Sequence, residues 1–130
     1  MAWRRPERTV AGVSIWGVKL DHEVQEGVQL VAVSGELDLA SVAELRAALG
    51  TAGERSPSVV IDVSGVSFID STALAALLRS NDELSSNGVH LVVACPPGPV
   101  LRLLTMTSLD DRLILAPDRP DALAQARSAH

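Results

Sequence analysis

A chain of 130 residues can bury one core but cannot hold two catalytic domains. Its 47% hydrophobic content excludes wholesale disorder, and its longest apolar runs, LVAV and LVVAC, fall far short of the roughly 20 residues of a membrane span. The net charge of −5, with Lys19 as the single lysine, argues against binding a nucleic-acid backbone, which needs clustered cations, and favours a protein partner.

In chain order, residues 1–13 mix Arg, Pro and Gly without periodicity and read as a flexible N-terminal arm, leaving 14–130 as the domain. No apolar stretch of signal-peptide length follows Arg4, Arg5 and Arg8, so the expected location is cytoplasmic, without membrane insertion. SIWGVKLDHEV and VQLVAVSG flank QEG and predict two strands joined by a turn. Val42, Leu45 and Leu49 then fall at helical spacing, with Ser41 and Glu44 as an expected capping box and Gly50 and Gly53 as the expected helix end.

SVVIDVSGV has the β-branched character of a central strand covered on both faces. The strongest helical pattern follows it, starting at Asp70 or Ser71, with Leu74, Leu77, Leu78 and Leu84 as the stripe and Gly88 as the stop. VHLVVAC predicts a strand, PPGPVLRLLTMTSLD a helix with proline in its first turn, DRLIL a strand and PDRPDALAQARSA a last helix. The order is β-β-α-β-α-β-α-β-α, which implies an α/β fold: a mostly parallel central sheet opened by an N-terminal hairpin, with four α-helices.

Enzyme signatures are missing. The glycines form neither a dinucleotide fingerprint nor a P-loop, no serine sits in a G-x-S-x-G elbow, and no H-E-x-x-H occurs, so neither cofactor nor catalytic residue is expected. Cys95 has no disulfide partner and makes no zinc box with His22, His90 and His130; it reads as a strand-end residue, with no metal expected. Asp62 and Asp70 read as caps and turn residues rather than metal ligands, Met106 as core filler, and Phe68 as packing beneath its loop.

The informative segment is VVIDVSGVSFIDSTALAAL at 59–77, where a buried strand enters a helix through Asp70, Ser71 and Thr72. A helix N-terminus exposes unpaired N–H groups and a partial positive charge. Ser71 can serve there as a capping hydroxyl, or as a hydroxyl whose phosphate the helix dipole tolerates. SGELDLAS at 34–41 leaves a strand in the same sense, which places Glu36 and Asp38 at the same sheet edge as 70–72.

With GELD at 35–38, IDVSGVSFIDST at 61–72, the Leu-rich helix, GVHLVVAC at 88–95 and the segment 96–115, the chain resembles STAS domains, specifically the small anti-sigma factor antagonists (anti-anti-sigma factors) of bacteria. The resemblance covers about 18–127. It implies a non-enzymatic phosphoprotein of transcription and stress regulation. Unphosphorylated, it would bind an anti-sigma factor with serine kinase activity and so release a sigma factor; a Ser/Thr phosphatase would reset it. The family's acceptor falls on Ser71, with Thr72 a minor acceptor, and the partner-binding residues on Glu36, Asp38, Asp70, Ser71, Thr72 and Ala73. Ala73 departs from the family, which usually has Gly there, a residue that allows another backbone to approach closely. The alternative is a STAS subunit of a lipid-transport ABC system or another STAS-based regulatory scaffold.

Overall fold

A computed structural model describes the backbone of residues 9–13 and, in full, residues 17–129. Six strands form one sheet in sequence order: β1 (Thr9–Val13), β2 (Val18–Gln25), β3 (Val28–Leu37), β4 (Ser58–Ile69), β5 (His90–Ala94) and β6 (Ile114–Ala116). The first three pair antiparallel and β3 to β6 pair parallel. The helices are α1 (Val42–Arg55), α2 (Ser71–Ser86), α3 (Pro99–Met106) and α4 (Arg119–Ser128). The expected mostly parallel sheet with four α-helices is what forms.

The hairpin follows from its turn. Glu26 and Gly27 both have positive φ, 52° and 83°, the backbone of a two-residue turn whose twist matches the flanking strands. Of the expected arm, residues 1–8 lie outside the described residues, as do Ser14, Trp16 and His130. Residues 9–13, also read as arm, instead form β1 along β2, with a register shift between Val10 and Gly12. Five residues beside an arginine-rich stretch carry too short a pattern to announce a strand; the hydrogen-bonding edge of β2 supplies what local propensity does not.

Alternation along the central strands sends side chains to two layers. Val31, Val33, Val59, Ile61, Leu91 and Val93 join Leu45, Leu49, Leu74, Leu77 and Leu104 of α1, α2 and α3 in the larger core. Leu30, Val60, Val92 and Ala94 meet Ala122, Leu123 and Ala126 of α4 in a smaller one on the opposite face. β3 is therefore covered on both sides over much of its length.

Helix α1 differs from expectation at both ends. It runs through Gly50 and Gly53 to Arg55, because neither glycine takes the positive φ that ends a helix. Gly53 instead permits close packing, since a Cβ there would lie 2.5 Å from Leu84 Cδ2. At its start Ser41 makes no capping hydrogen bond to α1. Helix α2 ends as predicted: Gly88 has a φ of 78°, and the Val89 N–H donates to the Leu84 carbonyl at 2.9 Å.

Candidate functional site

Two neighbouring parallel strands end in register and deliver the site. Glu36 pairs with Phe68 and Leu37 with Ile69, so Asp38 and Asp70 are the next residues out of strands roughly 5 Å apart. The Asp70 N–H donates to the Leu37 carbonyl at 3.1 Å, tying the two exits together. GELD and DST, 32 residues apart in sequence, thus become one surface.

Each exit is capped by its own aspartate. Asp70 is the N-cap of α2, its Oδ1 accepting from the Ala73 N–H at 2.9 Å, worth about 1 kcal/mol. Asp38 caps a 3₁₀ turn at Leu39–Ser41: Oδ1 accepts from the Ala40 N–H at 3.1 Å, and the Asp38 N–H donates to Ser41 Oγ at 3.0 Å. The capping box therefore joins Asp38 to Ser41, correcting the expected Ser41 and Glu44 pair. Ser41 is fully buried, and its hydroxyl faces the carbonyls of Glu36 and Asp38, where it holds the GELD loop in shape. Gly35 is required for that shape. Its φ is 93° and an added Cβ would fall 1.9 Å from the Gly17 carbonyl oxygen, while the Glu36 N–H donates to that oxygen at 3.1 Å.

Of the expected site residues, Glu36, Ser71 and Thr72 are exposed, Asp38 and Asp70 are half-buried, and Ala73 is buried. Ser71 is the first residue of α2, so the helix end is capped by Asp70 and leaves the Ser71 hydroxyl facing outward. The Ala73 methyl joins the core beside Leu74 and Leu77; the difference from glycine points away from the surface. Among the described residues none of Glu36, Asp38 and Asp70 forms an ion pair.

Beside it lies an apolar patch that the sequence reading missed. Phe68 is 49% exposed and Met106 75% exposed, and with Pro99, Arg102 and Leu103 they border a shallow hollow next to the DST segment. Neither packs as core filler. On the other side of Asp38, Leu39 is also exposed. Met106 ends the short α3, where the apolar stripe has turned away from the sheet; helical spacing counted to the last turn was the available signal.

Asp62 does not belong to this edge. It lies on the α4 face, accepts from the Ser64 N–H at 2.9 Å and from Arg119 Nε at 2.7 Å, and is 4% exposed. It is thus a buried ion-pair member rather than a solvated turn residue. Burial opposes its charge, but the Ser64 hydrogen bonds and the Arg119 guanidinium outweigh that and hold the carboxyl below its ordinary range. Among the described residues no group of three His, Cys, Asp or Glu could hold a metal ion, and no helix is long and apolar enough to cross a membrane. Cys95 is buried, which pushes its thiol up to about 11.

Known proteins share this fold. The STAS domain model matches residues 19–122. An anti-sigma-F factor antagonist, RsfB, of Mycobacterium tuberculosis is 32% identical over 103 residues, spanning 78% of this chain and 83% of that protein. The crystal structure of an anti-sigma factor antagonist from Mycobacterium paratuberculosis superposes with a TM-score of 0.78 at 30% identity, covering 88% of this chain and 97% of that one. The unphosphorylated form of the anti-sigma factor antagonist SpoIIAA shares the fold, with a TM-score of 0.63 at 20% identity over 83% of this chain and 97% of its own. The family match runs from within β2 into α4 and takes in both capped loops, and on that extent the chain belongs to the STAS domain family.

Proposed function

We propose that this protein is an anti-sigma factor antagonist: unphosphorylated, it binds an anti-sigma factor and releases a sigma factor, and phosphorylation of Ser71 switches it off. The observation that carries the reading is the exposed Ser71 hydroxyl on the first turn of α2, beside the GELD loop that the Asp70 to Leu37 hydrogen bond holds against it. The relatives named as antagonists support it. The partner would contact Glu36, Asp38, Asp70, Ser71 and Thr72 through charge and hydrogen bonds. Phe68 and Met106 would supply the desolvated centre that a protein interface needs. Ala73 would take part through its backbone, its methyl being buried.

The chemistry of the switch follows from what a kinase must do. Ser71 Oγ attacks the γ-phosphorus of ATP held by the anti-sigma factor, the nucleoside diphosphate leaves, and the hydroxyl proton passes to a base on the kinase. The product carries about −1.5 to −2 charges at pH 7. It would face the departing diphosphate and three carboxylates of its own surface, so the complex is driven apart by charge while the domain stays folded. A Ser/Thr phosphatase restores the hydroxyl, and Thr72, one residue on and also exposed, would be a minor acceptor. The setting is the cytoplasm, where sigma factors act.

Tagged Ser71→Ala protein used as bait in host cytoplasm should capture an anti-sigma factor. Incubating that factor with wild-type protein and ATP should add one phosphate, mapped by fragmentation to Ser71. Capture of permease and ATPase subunits alone, or modification solely away from Ser71 and Thr72, would refute the proposal.

A further inference from the structure

One buried titratable group takes no part in the Ser71 surface. His22 lies midway along β2, on the face that carries Val18 and Leu20 into the larger core. It is 6% exposed, and its Nε2 is buried without a hydrogen-bond partner. Buried polar atoms are nearly always paired, so the exception calls for a cause. Its surroundings admit only the neutral ring. Thr9 of β1 and Val31 of β3 stand opposite it on either side, and on that face β3 carries Gln29, Val31 and Val33, none of them ionisable. From α1 the charge that reaches it is Arg55, in the last turn and of the same sign as an imidazolium; Glu54, next to it, faces α2. Asp21 pulls the other way, but it and Glu23 go to the opposite face of the sheet, where Lys19 and Arg119 stand 4.0 and 3.9 Å from them. Burial first and Arg55 second therefore hold His22 below the ordinary histidine value of 6.5.

A ring that becomes charged there must reach water, because a buried unpaired cation costs far more than a buried neutral imidazole. Of the walls around it, β1 is the one that moves most cheaply. It is an edge strand of five residues whose pairing with β2 shifts register between Val10 and Gly12, whereas β3 is buried on both sides over much of its length. We infer that His22 is a proton-operated latch: the neutral ring closes the corner between β1, β2 and the end of α1, and the protonated ring releases β1 from the sheet. The latch is separate from the Ser71 surface and does not depend on the function proposed above. Val31, opposite His22, precedes Glu36 by five residues, roughly 17 Å along β3.

Amide hydrogen exchange of the full ¹⁵N-labelled chain, read by NMR at pH 7.0 and 5.5 in low urea, tests this. The folded pKa lies below the unfolded value of 6.5, so the opened chain takes the proton first and the closed corner loses stability as pH falls through 6.5. If the folded ring stays neutral, the opening constant of the β1 amides should rise up to about eightfold between the two pH values. These amides should exchange through an opening that added urea barely accelerates, unlike those of β4, which report global unfolding. His22→Leu, which cannot titrate, should lack the rise. Arg55→Gln, a change at an exposed position, should cut it to about fourfold by removing the like charge. In wild type the ring C–H signals of His22 should titrate with a midpoint below 6.5, a measurement that stands even if His22→Leu does not fold. Equal pH responses of wild type and His22→Leu, or a ring midpoint at or above 6.5, overturn the latch. Exchange of β1 and β4 with the same urea dependence overturns the release of β1.

Discussion

Replacing Ala73 by glycine restores the residue that the family usually carries, and the structure says what this does. Ala73 is fully buried on the core side of the first turn of α2. Its methyl contributes about 0.8 kcal/mol by burial, and glycine in a helix costs up to about 1 kcal/mol more. The cap is untouched, because the Asp70 carboxylate accepts from the backbone N–H. Ala73→Gly should therefore destabilise by about 1 to 2 kcal/mol, lowering Tm by roughly 4–8 °C for a domain of this size. Urea unfolding followed by circular dichroism measures the first quantity. Initial phosphorylation rates by intact mass, at equal folded fraction, measure the second and should agree with wild type within about twofold, since the removed methyl never reaches the surface. Unchanged stability together with a fivefold faster rate would refute the reasoning and return the methyl to the partner's side.

Ser71→Ala should bind the anti-sigma factor constitutively, whereas Ser71→Asp adds a charge to an edge that already holds the carboxylates of Glu36, Asp38 and Asp70 and should bind about tenfold less tightly in calorimetric titration; equal affinities would exclude a charge switch. Asp62→Asn removes the carboxylate of a pair whose other member, Arg119, is 37% exposed, so the loss should be about 1–3 kcal/mol at pH 7, below that of a fully buried pair. Because the Asp62 carboxyl titrates below its ordinary range in the folded state, its contribution is present above the unfolded value and lost as pH falls through the folded one. Wild type and Asp62→Asn should accordingly converge in urea titrations at acid pH, and a gap that persists there would contradict the linkage. Cys95, buried and raised to about 11, should resist thiol reagents at pH 8 until the protein is denatured; its contribution to stability is present below the unfolded value of 9.0 and declines towards 11.

The elements after β1 were legible because each is a local pattern. Val and Ile runs marked β3, β4 and β5, leucines at helical spacing marked α2, and the Glu26–Gly27 pair marked the hairpin. Asp70 and Ser71 were legible for the same reason, since a strand that turns into a helix needs a cap at its exit, whereas Asp38 stood out only through the family resemblance and its capping role was assigned to Ser41. Where local signals competed, the pattern misled: Gly50 and Gly53 look like a helix stop, and Ser41 followed by Glu44 looks like a capping box. Packing of α1 on α2 and the pairing of Asp38 with Ser41 overrode both.

What sequence alone determined is therefore the order of the elements after β1 and the chemistry of each chain segment, quantities set by neighbours within a few residues. Tertiary structure decided which segments meet and which face each side chain takes. The register of β3 on β4 set Glu36 beside Phe68 and brought two capped loops to one edge. The sidedness of the sheet sent Asp62 to Arg119, 57 residues away, instead of to that edge. The same sidedness turned Ala73 inward and left Phe68 and Met106 outside. Burial and long-range pairing depend on the sum of all packed surfaces, and no window of sequence contains that sum.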